Sequence, residues 1–269
     1  MIPTSARMEV VSSPTAGVGT VFVAVLIGGL VLWELGVLVF HPSPLILPAP
    51  SAIFAAFLKA PGLYLRHAGF TLLTTAIGFG LAVGLGVALA IGIVHSRLLE
   101  HTVYTLLVAL NSVPKVALAP LFVIWMGTGA EPRIAIALML AIFPIIIDTV
   151  LGLRSVDPDM LSLAQVYRAS SLKVLTRVRF PCALPSIFAG MKVGISLALV
   201  GAIVGEFVAG ATGLGYLILI AQGQFDTTRL FVSLLALGVM GTALFYLIDL
   251  AERMMLPWHV SRRALAKHR

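Results

Sequence analysis

The sequence contains little charge and almost no cysteine. Only 11% of its 269 residues are charged, whereas 59% are hydrophobic. A soluble domain of this composition would expose large apolar patches and aggregate, so the composition indicates a protein that lies in a lipid bilayer. The single cysteine, Cys182, excludes an intrachain disulfide, and the six scattered histidines lack the spacing of a metal site.

Sequence motifs for catalysis and nucleotide binding are also absent. The chain has no glycine-rich phosphate loop ending in Gly-Lys-Ser or Gly-Lys-Thr, no GxSxG nucleophile turn and no HExxH zinc pair. The net charge of +7 is accompanied by no nucleic-acid-binding motif. We therefore expect no bound cofactor and no nucleic-acid partner. The remaining classes are a channel, a gradient-driven carrier and a subunit moved by a separate ATPase, with a membrane enzyme as a distant alternative.

Long apolar runs divide the chain into candidate membrane helices. A helix of about 20 apolar residues crosses about 30 Å of hydrocarbon, and six segments approach this length. We expect a basic tail at 256–269, a cytosolic N-terminal segment at 1–17 and a transmembrane domain at 18–255, with a short surface helix at Pro50–Lys59. The six candidate spans are Val18–Phe40, Ala68–Val94, Val103–Met126, Ile134–Val150, Ser186–Val208 and Phe231–Leu250.

Small and large apolar residues alternate through the second candidate span, from Ala76 to Ile93. Period two normally indicates a strand, but a membrane strand has about ten residues and alternates apolar with polar. We therefore interpret the run as a helix with two ridges of small residues on opposite sides, which predicts close neighbours on both sides. The ridges are Ala76/Gly80/Gly84/Ala88/Gly92 and Gly78/Ala82/Gly86/Ala90.

The distribution of positive charge predicts the orientation. Six spans place both chain ends on one side of the membrane. Twelve of the 18 Lys and Arg residues then lie on that side, four lie on the other, and Lys115 and Lys192 lie within or at the edge of spans. The positive-inside rule predicts that both termini are cytosolic and that the loop at 210–229 is external.

A polar, basic segment at about 155–184 separates the fourth and fifth candidate spans. Asp157 predicts the start of one short helix. Ser170 or Ser171 predicts the start of a second, which we expect to end near Val178, before two prolines. The segment also carries apolar side chains, which predict docking in a groove of another protein. These are Met160, Leu161, Leu163, Val166, Tyr167, Leu172 and Leu175.

This segment and its flanks resemble the permease subunits of ABC importers of the nitrate, sulfonate and taurine type. The matching stretches are Gly152–Asp159, Pro181–Pro185, Val113–Leu121, Gly213–Ile218 and Leu256–His259. The resemblance covers about residues 47–259. It implies an all-α type I importer permease with about six spans in a bacterial inner membrane. It also implies a second copy of the chain, a cytosolic ABC ATPase dimer that holds ATP and Mg, and an extracytoplasmic binding protein.

The resemblance further implies that the basic segment couples the permease to its ATPase. Two positions depart from the family pattern, because Ser162-Leu163-Ala164 replaces Glu-Ala-Ala and Arg168 replaces glycine. Three interpretations of Arg168 stay open: a contact with a complementary ATPase surface, an elbow in right-handed helical conformation that tolerates any residue, or a nonfunctional paralogue. The predicted coupling residues are Asp157, Ser162, Leu163, Ala164, Tyr167, Arg168, Ala169, Ser170 and Leu172.

Lys115, Asn111 and Glu206 are the candidate residues of a translocation pathway. Counted along a regular helix from Val103, Lys115 lies about 18 Å into the membrane, where a charge must face protein or water. Three roles stay open for Lys115: it attracts an anionic solute, it pairs with Asp148, or its side chain extends to the membrane interface. Charges such as Glu206 and Asp249, near span ends, more often lie at the interface than bind a ligand. We expect a small anionic, aromatic or heterocyclic solute, and the rival function is transport without ATP.

Overall fold

The computed structural model describes residues 15–104, 106, 109 and 113–257, and within these ranges every regular element is helical. This confirms the predicted all-α fold. Asn111 and most of the predicted terminal segments lie outside the described residues. Apart from short helical turns at Arg97–Leu99 and Glu100–Tyr104, the described helices are α1 Thr15–Phe40, α2 Pro50–Lys59, α3 Pro61–His95, α4 Lys115–Met126, α5 Glu131–Arg154, α6 Pro158–Val166, α7 Ser171–Ala209, α8 Leu214–Gly223 and α9 Thr227–Met255.

Among the described residues, five helices are long and apolar enough to span a bilayer, namely α1, α3, α5, α7 and α9. The predicted third span, Val103–Met126, is not a single regular helix. Its first residues belong to a π-helical turn at Glu100–Tyr104, and α4 begins with a 3-10 turn at Lys115–Leu118. Pro114, just before α4, is extended with ψ 91°. Proline has no N–H to continue a helix and clashes with the preceding turn, which accounts for the break.

Different residues mark the two ends of the helix bundle. At one end, which we call the loop end, His95 of α3 lies beside Ser171 of α7, with 3.5 Å between Nδ1 and Oγ. At the opposite end, the guanidinium of Arg133 at the start of α5 donates to Thr212 Oγ1 at 3.0 Å. Because α3 finishes at the loop end and α5 starts at the opposite end, the segment between them connects the two ends despite its irregular helices.

Glycine faces on α3 and α7 pack against α5. A Cβ added to Gly78 would lie 2.6 Å from the Cβ of Ala137, and one added to Gly201 would lie 2.7 Å from its Cα. Real atoms do not approach so closely, so these two contacts require glycine and bring three helix backbones together. Ala137 belongs to a buried core that also includes the small residues Ala82, Ala141, Ala198 and Ala202.

The prediction of two packed ridges on α3 is half correct. The ridge Gly78/Ala82/Gly86/Ala90 is buried. The other ridge is exposed at Ala76, Gly80, Gly84 and Ala88, and a Cβ added to Gly80 or Gly84 would meet nothing within 4 Å. The prediction of neighbours on both sides is therefore wrong for the described part of this chain, because α5 covers only one side.

Helices α8 and α9 add detail to two further predicted regions. The predicted external loop at 210–229 contains α8, a ten-residue apolar helix. Asp249 of α9, predicted to be an interfacial charge, accepts a bond from Lys192 Nζ of α7 at 2.5 Å, and the same Nζ lies 2.5 Å from Glu252. These ion pairs join α7 to α9 towards the loop end.

Candidate functional site

The segment between α5 and α7 has the two caps predicted from its sequence. The Asp157 carboxylate accepts the backbone N–H of Asp159 at 2.8 Å, and Pro158 occupies the first turn of α6. Ser170 Oγ accepts the N–H of Lys173 at 3.4 Å at the start of α7. Each cap satisfies a helix N–H that has no partner within its own helix. Both predicted helix starts are confirmed.

The predicted end of the second short helix near Val178 is wrong. Helical structure continues from Ser171 through a π-helical turn at Leu175–Arg179 and on to Ala209. Pro181 lies in the first turn after this widened turn, and Pro185 lies inside the helix. Proline disrupts the turn that precedes it, and a π turn changes the hydrogen-bonding pattern locally without ending the helix. The loop is therefore directly continuous with the long helix.

Arg168 occupies the elbow between α6 and α7 with a φ of +49°. The right-handed conformation considered for this residue is therefore wrong. Left-handed backbone is the region that glycine adopts without strain and that a residue with a Cβ adopts at a cost of about 1 to 2 kcal/mol. The position at which the family pattern has glycine thus keeps the backbone shape of glycine although it carries arginine.

Apolar side chains on the loop are open to the surroundings. Leu163 is 57% exposed, Tyr167 77% and Leu172 68%. Met160 and Val166, also on α6, are exposed as well. Ala164 and Ala169 are half-buried and joined by a backbone hydrogen bond of 2.9 Å from Ala169 N–H to Ala164 oxygen. A cluster of exposed apolar side chains on a well-capped loop is typical of a docking surface for another protein.

Contacts at the loop end attach this loop to the bundle. The Arg179 guanidinium donates to the Leu153 carbonyl oxygen at 3.3 Å, and Arg154 pairs with Glu100 at 2.9 Å. A cleft of about 330 Å³ lies between α3, α6 and the start of α7. The remaining predicted coupling residue, Ser162, bonds the Pro158 carbonyl oxygen through its hydroxyl at 3.0 Å. All the predicted coupling residues thus lie together at the loop end.

Lys115 and Glu206 lie in separate parts of the bundle. The Lys115 ammonium lies 4.2 Å from the ring centroid of Phe143, a cation–π geometry. Because the preceding segment is not a regular helix, the depth of 18 Å counted from Val103 does not apply. Glu206 is fully buried within the protein, three residues before the end of α7, so it is not a charge exposed at the membrane surface.

Glu206 belongs to a hydrogen-bonded group at the opposite end, which we call the clasp and define as His67, Thr71, Arg133 and Glu206. The Thr71 hydroxyl donates to Glu206 Oε1 at 2.7 Å, and Gly215 N–H donates to Oε2 at 2.7 Å. A buried carboxylate requires such donors to offset its loss of hydration.

The other members of the clasp hold the backbone just before and at the start of α8. Thr71 Oγ1 accepts the Leu214 N–H at 2.9 Å, and His67 Nδ1 accepts the Gly213 N–H at 3.0 Å. Sequence reasoning did not single out His67, Thr71 or Arg133. The available signal was Gly213-Leu-Gly215, because closely spaced glycines indicate that other groups approach the backbone closely.

Comparison with known families gives a match over most of the chain. The family described as "Binding-protein-dependent transport system inner membrane component" matches residues 80–258. That range includes α5, the loop, α7 and α8. The predicted resemblance is confirmed by this match.

Individual relatives match over more of the chain. It is 40% identical over 234 residues to the riboflavin transport system permease protein RibX of Chloroflexus aurantiacus, which covers 86% of this chain and 87% of RibX. It is 32% identical to the formylaminopyrimidine transport permease protein ThiX of Halalkalibacterium halodurans, over 85% and 92% of the two chains. It is 33% identical to the putative aliphatic sulfonates transport permease protein SsuC of Escherichia coli, over 87% and 89%.

A solved structure shows the same fold. A chain of the MetNI methionine ABC transporter, in inward-facing conformations, superimposes with a TM-score of 0.56 at 16% identity. The match covers 73% of this chain and 97% of that one. At this identity the match is evidence for the fold alone, and it agrees with the predicted permease architecture.

The left-handed elbow generates a prediction about Arg168. Arg168→Gly should stabilise the loop by about 1 kcal/mol, because glycine adopts this backbone without the steric cost of a Cβ. Arg168→Ala, which removes the side chain but keeps the Cβ, should not. Amide hydrogen exchange of residues 158–174 in the purified protein measures the difference. Equal protection in the two variants would show that the backbone at this position carries no such cost.

Proposed function

The chain belongs to the family of binding-protein-dependent transport system inner membrane components, and we propose that it forms the homodimeric membrane part of an ABC importer. As a permease subunit it is not itself an enzyme, and ATP hydrolysis belongs to a separate ATPase. In the proposed complex, a cytosolic ABC ATPase dimer carries ATP and Mg, and an extracytoplasmic binding protein delivers the solute. ATP-driven motion of the ATPases alternates the access to a solute pathway.

The observation that carries this proposal is the exposed apolar surface of the loop. The exposed apolar side chains of Leu163, Tyr167 and Leu172 would be stabilised by burial against a partner. The loop continues directly into α7, so a partner that moves the loop also moves a membrane helix. A channel or a gradient-driven carrier has no need of such a surface.

We place the loop end in the cytosol of a bacterial cell, at the inner membrane. Support comes from the charge distribution, since Arg154, Lys173, Arg177 and Arg179 all lie in or next to the loop. The end of α1 lies at the opposite end, where the Thr227 hydroxyl donates to the Leu45 carbonyl oxygen at 2.6 Å just after α1. The proposed external face therefore carries the clasp and α8, next to the binding protein.

For the solute we propose an aromatic heterocycle, with an organic anion as the second candidate. The first is supported by the names of RibX and ThiX, which transport riboflavin and formylaminopyrimidine. The second is supported by the name of SsuC and by the Lys115 ammonium, which would attract an anion.

Binding of purified ATPase to membrane vesicles tests docking and orientation together. Wild-type permease should bind its ATPase in inverted vesicles and not in right-side-out vesicles. Leu163→Asp should abolish binding in inverted vesicles, because a charge in an apolar groove costs several kcal/mol. Ile46→Asp is the matched control, since Ile46 is 74% exposed at the opposite end. Undiminished binding by Leu163→Asp, or binding to right-side-out vesicles, would refute the proposal.

Competition for uptake into proteoliposomes tests the solute class. The complex of permease, ATPase and binding protein should take up a labelled heterocycle only when ATP is supplied. Riboflavin and a substituted pyrimidine, as unlabelled competitors, should reduce the uptake, whereas an alkanesulfonate should not. The reverse order of competitors would favour the anion, and uptake without ATP would contradict the importer itself.

A further inference from the structure

Helix α8 begins at a point where side chains of two other helices accept its first backbone hydrogen bonds. The backbone N–H groups of Gly213, Leu214 and Gly215 donate to His67, Thr71 and Glu206, respectively. The first N–H groups of a helix have no partner within the helix. Here the side chains that satisfy them come from α3 and α7, so α8 cannot tilt or shift without breaking these bonds.

Glu206 is the central member of this arrangement. Its two carboxylate oxygens accept from Thr71 of α3 and from Gly215 of α8, so one side chain of α7 links two other helices. Arg133 of α5 donates to the Thr212 carbonyl oxygen at 3.2 Å, which brings α5 to the same turn. Four helices therefore meet at one buried group.

The backbone of the turn is shaped around the carboxylate. Gly213 has a φ of +113°, and a Cβ on it would overlap the Glu206 carboxylate. A Cβ on Gly215 would lie 2.9 Å from Oε2. Both glycines therefore allow the backbone to approach the Glu206 carboxylate closely. At Gly213 any other residue would also be strained by the positive φ.

The helix that carries Glu206 reaches the loop at its other end. Residues 171 and 206 are separated by about 53 Å along a helix that rises about 1.5 Å per residue, and the helix is continuous between them. This continuity gives a displacement of the loop a direct path along α7 to the clasp. At that end the Glu206 carboxylate accepts a backbone N–H of α8, while Leu199 and Ile203 of α7 pack in the same apolar cluster as Leu214 of α8.

We propose that Glu206 is a positioning residue through which α7 carries α8 as one rigid unit during transport. The inference rests on the proposed function, because it takes the loop to be displaced by an ATPase. It adds that α8, on the proposed external face, follows the movement of α7 instead of responding independently to the binding protein.

A distance measurement between α7 and α8 tests the proposal. Cys182 is the only cysteine, so Cys182→Ser gives a cysteine-free chain. Cysteines introduced at Val208 of α7 and Leu219 of α8, both partly exposed, can carry spin labels in a subunit diluted with unlabelled copies. In the complex with ATPase and binding protein, the wild-type clasp should give one narrow distance that is the same without nucleotide and with trapped ATP.

Loss of the carboxylate should separate the two helices. Glu206→Ala should replace the narrow distance with a broad distribution whose mean differs between the two nucleotide states. Glu131→Gln is the matched control, because Glu131 is an exposed glutamate near the same end of the bundle. It should keep the narrow, constant distance. A narrow, constant distance in Glu206→Ala would overturn the proposal.

Thr71 provides a second pair of variants if Glu206→Ala does not fold. Thr71→Val keeps the side-chain shape but removes the hydroxyl that bonds both Glu206 and Leu214, whereas Thr71→Ser keeps the hydroxyl. Thr71→Val should broaden the distance distribution, and Thr71→Ser should keep it narrow and constant as in the wild type. A purely structural role for the hydroxyl would lower the melting temperature of Thr71→Val and leave the distance narrow and constant, which would also overturn the proposal.

Failure of the inference is distinguishable from failure of the proposed function. If the wild-type permease binds no ATPase in vesicles, the proposed function is wrong. If it binds ATPase and Glu206→Ala keeps the wild-type distance in both nucleotide states, the function stands and the positioning role of Glu206 is wrong.

Discussion

The close contact of α5 with the glycine faces of α3 and α7 is the constraint on which the rest of this structure depends. Gly78 and Gly201 approach Ala137 so closely that no larger residue fits at either position. In a bilayer, where lipid tails are as apolar as the side chains, such close packing replaces the hydrophobic effect as the force that holds helices together. The two ends of α5 then make their own contacts, Arg133 within the clasp and Arg154 with Glu100 at the loop end.

The second constraint is the continuity of α7 from the loop to the clasp. Ser170 caps the helix where the loop ends, and Glu206 bonds α8 near the other end. Between them, Lys192 joins α7 to Asp249 and Glu252 of α9. Partly buried ion pairs are only weak evidence for added stability, but they fix which helices move together. The proposed coupling therefore needs no flexible connection between the ATPase-facing loop and the membrane helices.

Local signals allowed part of this architecture to be predicted from the sequence. Asp157 and Ser170 cap helices through N–H groups two or three residues further along the chain, so the sequence around each cap contains all the necessary information. The candidate spans in α1, α5 and α9 follow from hydrophobic length alone. The end expected near Val178 was wrong because proline rules describe regular α-helix, and here a π turn precedes Pro181.

Long-range contacts were not predictable in the same way. The burial of Glu206 depends on Thr71, 135 positions earlier in the chain, and a single sequence gives no indication of that contact. The exposed ridge at Gly80 and Gly84 has the same composition as the buried one, so the pattern could not show which side has a neighbour. The left-handed backbone of Arg168 was hidden by its residue type, although the glycine of the family pattern pointed to it.

The central claim is that α7 transmits movement from the loop to the clasp as a single rod. The direct measurement is the distance between spin labels at positions 173 and 208 in the complete complex, with the labelled subunit diluted as above. We predict one distance of about 50 Å, from the rise of about 1.5 Å per residue, that is identical without nucleotide and with trapped ATP. A change of several ångströms between the two states would show that α7 bends between these positions and would contradict the account.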